Sequence, residues 1–159
     1  MSTGKILASF IVITAIIGGA AMYYLQVYAY FDKVEADSPA AEMRLTLVGT
    51  DIAEPILAED FEGIDANSSP LRFRACFKTT MSLAMLTETY QIVEDAEPLN
   101  GPDWFDCYNA QDVGAALEDG TAVAFLSEHN IKDGVDRIIA VYPDGQAFAW
   151  HQLNDKYKE

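Results

Sequence analysis

"DRIIAVYPDGQAFAWHQL", residues 136–153, decides the fold. Two apolar runs rich in β-branched and aromatic residues flank Pro143, Asp144 and Gly145. Proline presets φ for a tight turn and glycine accepts a positive φ, so the tripeptide reverses the chain. The two runs are therefore read as antiparallel strands. Upstream, "TAVAFLS" (121–127) predicts a further strand, and "NAQDVGAALEDG" (109–120) a short helix stopped by Gly120. "LRFRACFK" (71–78) alternates, with Leu71, Phe73, Ala75 and Phe77 on one face, as a strand does. "TMSLAMLTETY" (80–90) predicts a helix capped by Thr79 or Thr80, and "MRLTLVG" (43–49) a strand. Paired strands with short helices between them make the expected class α+β, with an antiparallel sheet and one or two short helices.

The N-terminus is different. "ILASFIVITAIIGGAAMYYL", residues 6–25, contains no charged residue. A helix of that length rises about 30 Å, the thickness of one hydrocarbon core. Tyr23, Tyr24, Tyr28, Tyr30 and Phe31 form an aromatic belt at its end. Lys5 precedes the span and an acidic stretch follows it, which places the N-terminus in the cytoplasm and the domain outside. The competing reading is a cleaved signal peptide, for which "GGAAM" (18–22) supplies small residues. The apolar run continues past that site into the tyrosines, which favours an uncleaved anchor. Gly4, Ala8, Ala15 and Gly19 lie close to one helical stripe, where small residues let another transmembrane helix approach closely; the alternative is that Ala and Gly are simply common in such spans.

The expected organisation is a cytoplasmic stub, span and belt over 1–31, a polar juxtamembrane linker over 32–42, an α+β domain over 43–154 and a polar tail over 155–159. Of the 159 residues, half are hydrophobic and the formal charge is −15. The segment after residue 31 holds nine basic and 25 acidic residues, a charge of −16. That excludes a phosphate-neutralising surface for nucleic acid and a flat dock on anionic lipid. It suits a soluble domain that touches a basic partner, or nothing at all.

Two cysteines outside the cytoplasm are most simply a disulfide, Cys76 to Cys107. The bridge would pin the Pro- and Gly-containing "EDAEPLNGPDWFDC" (94–107) onto the 71–78 strand, whose Cys76 faces away from Phe73 and Phe77. The alternative is a reactive thiol, since Arg72, Arg74 and Lys78 would lower the pKa of a free Cys76. No C-x-x-C pair is present. Cys76 with Met81 and Met85 offers soft sulfur for Cu(I), although methionines at helical spacing also serve as core. Cys76, Cys107, His129 and His151 lack the short ligand spacing of a zinc site, so no metal is expected. Arg72, Arg74 and Lys78 form the one dense basic cluster, a candidate contact for a partner or a small anion; the alternative is pairing with the domain's own carboxylates. Calcium-loop, nucleotide-binding, hydrolase, metalloprotease and protein-kinase motifs are absent, so no catalytic residue or cofactor is expected.

"AAMYYLQVYAYF" (20–31), "SSPLRFRACFKTTMSLAMLTETY" (68–90), "WFDCYNA" (104–110) and "RIIAVYPDGQAFAWHQLN" (137–154) together resemble a family of small anchored proteins from Rhodobacter- and Roseobacter-type alphaproteobacteria. The resemblance covers nearly the whole chain and includes both cysteines. It implies a one-span inner-membrane protein with a periplasmic domain, and carries no activity with it. The resulting expectation is a non-enzymatic bitopic protein, an accessory subunit or assembly factor of a membrane complex. The alternatives are a periplasmic thiol or copper handler and a small-anion sensor domain.

Overall fold

The computed structural model describes residues 2–157. Met1 and the last two residues of the tail fall outside the described residues. The chain divides after Phe31 into a helical unit and a domain that begins at Asp32.

In the first unit, α1 runs over Thr3–Tyr24 and continues as a π-helical turn over Leu25–Ala29. An uninterrupted apolar run favours helix because every main-chain group inside it is bonded within the segment. The one internal threonine, Thr14, returns its hydroxyl to Phe10 O at 2.8 Å. The combined 27-residue helix is long and apolar enough to cross a membrane, a property that a signal sequence shares. Around the π-helical turn, Tyr24 stacks on Tyr28 and Tyr23 meets it edge-on.

Among the described residues the second unit contains eight strands and two short α-helices. The strands are β1 (Asp32–Val34), β2 (Arg44–Thr46), β3 (Ala53–Pro55), β4 (Glu59–Asp65), β5 (Arg74–Lys78), β6 (Val123–Lys132), β7 (Val135–Val141) and β8 (Gln146–Leu153). The helices are α2 (Leu83–Thr89) and α3 (Ala110–Glu118). Six strands form one antiparallel sheet in the order β1-β4-β5-β8-β7-β6, and β2 and β3 form a small second sheet. The domain is α+β, with β8 and β7 buried on both faces at the centre.

Residues Tyr90–Val93 join the sheets. Gln91 N donates to Thr46 O, and Gln91 O accepts from Leu126 N, each at 2.9 Å. Val93 N donates to Ala124 O, so the outer edge of β6 is partly closed. One sheet face carries Ala75, Phe77, Phe125, Ile139, Val141, Ala147 and Ala149, packed with Met43, Leu45, Leu86 and Tyr90. The opposite face brings Arg74 level with Trp150 and Cys76 level with Phe148. Tyr108 covers that face, meeting Phe148 edge-on at 6.2 Å.

The β7–β8 turn places Gly145 at φ +87°, beside Thr79 O. Thr79 N donates to Gly145 O at 2.9 Å, which holds the end of β5 against the turn. This contact explains one departure from the expected helix start. Thr79 is buried and committed to the sheet, so the chain turns later and Ser82 caps α2 by accepting from Met85 N. Asn109 caps α3, accepting from Gln111 N and Asp112 N. Gly120 at φ +78° follows its end.

Two further differences are informative. The polar segment 32–42, expected as a linker, contributes β1 to the sheet edge and buries Val34 and Ala41. One inward valine suffices for a three-residue edge strand, a signal too short to show as periodicity. β6 also runs on past Ser127 to Lys132, through irregular pairing with β7 and a positive φ at Asn130.

Candidate functional site

Cys76 and Cys107 are joined, with sulfurs 2.12 Å apart and a sequence separation of 31. Cys76 points to the sheet face opposite Ala75 and Phe77, where the 94–108 segment crosses. Arg74 holds the same segment. Its Nε donates to Leu99 O at 2.8 Å and Nη2 to Asn100 O at 2.9 Å, while Nη1 donates to the carbonyls of Leu71 and Phe73. Its guanidinium also lies 5.7 Å from the centre of the Tyr108 ring. Burial lowers its pKa from the ordinary arginine value, and the same burial raises that of Tyr108.

The basic cluster is therefore spread out. Arg74 is buried, and three of its nitrogens donate to main-chain carbonyls. Arg72 is half-buried and precedes β5. Lys78 is exposed, 3.7 Å from the carboxylate of Asp60. The expectation of one dense cluster took no account of the loop that covers Arg74.

On the other sheet face, Arg137 and His151 form a second buried polar pair. Arg137 Nε donates to His151 Nε2 at 3.1 Å, and His151 Nδ1 lies 2.7 Å from Pro70 O. The imidazole thus accepts at Nε2 and donates at Nδ1, the neutral form. Burial foremost, then the charge of Arg137, pushes its pKa down to about 3. Burial likewise lowers Arg137 to about 10. Phe73 stacks on His151 at 4.8 Å, and the guanidinium carbon of Arg137 lies 4.0 Å from the same ring centre.

These placements separate the residues considered for metals. The cysteine sulfurs bond to each other, which removes Cys76 as a thiolate ligand for copper. Met81 packs against the core and Met85 is exposed. His129 Nδ1 lies 3.0 Å from Asp136 Oδ1, while His151 is tied to Pro70 and Arg137. Among the described residues no group of three or more His, Cys, Asp or Glu is arranged to hold a metal ion. Gly4, Ala8, Ala15 and Gly19 are all exposed on α1.

A groove of about 780 Å³ lies between the 91–95 segment and the ends of β6, β7 and β8. Leu126, Ile138, Ile92 and Leu153 give it apolar surface. Asp51, Glu94, Asp95, Asp136 and Asp155 line it, against one lysine, Lys156. A polar hub braces one end: Asp136 Oδ1 accepts from Asn130 N and from Asn154 Nδ2, each at 2.9 Å. Asn130 Oδ1 accepts from Gly134 N and Asn154 Nδ2. Lys156 spans to Asp133 at 2.6 Å, fixing the chain end over the β6–β7 turn. Such a groove presents carboxylates beside apolar side chains, which suits a cationic surface with apolar side chains. Sequence reading found the acidity but not the groove, because its residues come from five separated segments.

Residues 43–159 match DUF6446, described as a family of unknown function. No curated protein and no solved structure matches the chain.

Proposed function

This chain belongs to DUF6446, and we propose that it is a bitopic inner-membrane protein whose acidic periplasmic domain binds a partner, as an accessory subunit or assembly factor rather than an enzyme. One observation carries the reading. The domain's buried cationic groups and both its thiols are consumed by the fold, while a broad acid-lined groove remains open. General acid–base catalysis is most efficient with a group whose pKa lies near the working pH. His151 is held neutral far below its ordinary range, and Cys76 has no thiolate to offer.

Three features support the placement. The disulfide suits an oxidising compartment. Lys5, ahead of the apolar run, and the acidic stretch after it favour a cytoplasmic N-terminus. The exposed tyrosines at the end of α1 suit the membrane–water interface. The stripe of Gly4, Ala8, Ala15 and Gly19 gives a partner helix a close approach.

Purification of the full chain from its native membrane in mild detergent tests the proposal. A stoichiometric membrane partner is expected, and Gly19→Ile should weaken its retention. A protein recovered alone, under conditions that preserve other complexes of that membrane, overturns the interaction role.

A further inference from the structure

Part of β4 is an open sheet edge. β1 covers β4 only at Gly63, Ile64 and Asp65. On its other side β4 pairs with β5 through Glu59 opposite Lys78 and Glu62 opposite Cys76. Glu59 to Glu62 thus have no strand on the β1 side. An uncovered edge offers main-chain donors and acceptors to an added strand.

A cleft of about 720 Å³ lies along this edge. Ala58, Asp60, Phe61 and Glu62 line one part of it, and Ala36 and Ala41, from the chain leaving β1, line the rest. Alanines leave room for another backbone, which needs a spacing of about 4.8 Å from its neighbour. Phe61 supplies an apolar contact that is braced from below: its ring lies so close to Gly63 that a Cβ there would stand 2.6 Å from it.

The charges select the occupant. Glu59, Asp60 and Glu62 lie on the edge strand, and Asp37 and Glu42 flank the alanines. Lys78 and Arg44 offset Asp60 and Glu42 only in part, as exposed or half-exposed pairs. Carboxylates on an edge repel a second copy of this chain, and a bulge there adds twist that a second rigid sheet cannot match, whereas a flexible extended segment can follow it. This edge has both, with Asp60 at φ +51° inside the register shift. The same charges attract a strand that carries lysine or arginine.

We infer that this cleft receives an extended basic segment of a partner protein as a strand added to β4. The inference rests on the proposed interaction role and fixes where on the domain the partner docks.

Hydrogen exchange on the full chain in detergent, with a short peptide of alternating lysine and valine as probe, tests it. Slower exchange of the Glu59–Glu62 amides is expected. Glu62→Lys and Ala36→Trp should each weaken peptide binding about tenfold or more, by charge reversal and by filling the cleft. Both residues are exposed, so each variant should melt with the parent protein. No binding, binding without protection of those amides, or equal binding of an alternating glutamate and valine peptide overturns the inference. A natural partner that stays fully bound to the Glu62→Lys protein also overturns it and leaves the interaction role standing. Absence of any natural partner overturns the role, while the peptide result still decides the cleft.

Discussion

Arg137 donates through Nε to Nε2 of His151 at 3.1 Å, and both side chains are buried. The bond requires a neutral imidazole. Its pKa lies at about 3 in the folded domain, against an ordinary 6.5. Below 6.5 the unfolded chain takes up a proton that the folded chain refuses. Stability from this group is therefore complete above pH 6.5 and is lost as pH falls toward 3. The slope is at most about 1.4 kcal/mol per pH unit. Chemical unfolding across that range should show it, and His151→Gln should flatten the curve relative to the parent. Parallel curves for the two proteins would contradict the assignment.

The 94–108 segment is held to β5 twice, by the disulfide and by Arg74. Arg74→Ala leaves the carbonyls of Leu99, Asn100, Leu71 and Phe73 without this donor. The expected cost is about 3 kcal/mol or more in denaturant unfolding. Arg74→Lys should recover only part of it, because an ammonium cannot reproduce the fork.

Replacing both cysteines by alanine should cost about 3–4 kcal/mol on the chain-entropy account of a loop this long. Adding Arg74→Ala should then cost less than it does in the bridged protein, because the segment it clamps is already freer. Strict additivity would show that the two clamps act on different parts of the structure.

Gly145 sits at φ +87°, and a Cβ there would stand 2.4 Å from Thr79 O. The obstacle is backbone and cannot rotate away. Gly145→Ala should lower stability by about 2 kcal/mol or more, through strain and displacement of β5. A thermal midpoint equal to the parent's would contradict the placement of the turn.

The anchor reading predicts that protein purified from the membrane keeps its first 31 residues. Intact mass checks this directly. A mature chain starting near Ala20 would make α1 a signal sequence and leave the domain without its own span.

The β7–β8 turn was legible because Pro143, Asp144 and Gly145 act locally, and α3 because Asn109 and Gly120 bound it. β1 was not legible, since Val34 is its one buried side chain within a polar string. The link from β6 to β2 through Gln91 and Val93 was also hidden. It consists of main-chain hydrogen bonds, which leave little trace in side-chain pattern. Among site residues, the facing of Cys76 could be read from alternation. The burial of Arg74 could not, because it depends on a loop that returns from 25 residues away. His151 and Trp150 are both buried because β8 is covered on both faces, so period two gave no warning of the Arg137 pair.

Cross-linking of the full chain in its native membrane through lysine side chains, read by mass spectrometry, is the most direct test. Lys33, Lys78, Lys132 and Lys156 are exposed reporters around the domain. The account predicts links from this domain to one other membrane protein at comparable abundance, with Lys78, across β4 from its open edge, among them. Links confined to this chain itself, in a membrane where other complexes do cross-link, would contradict it.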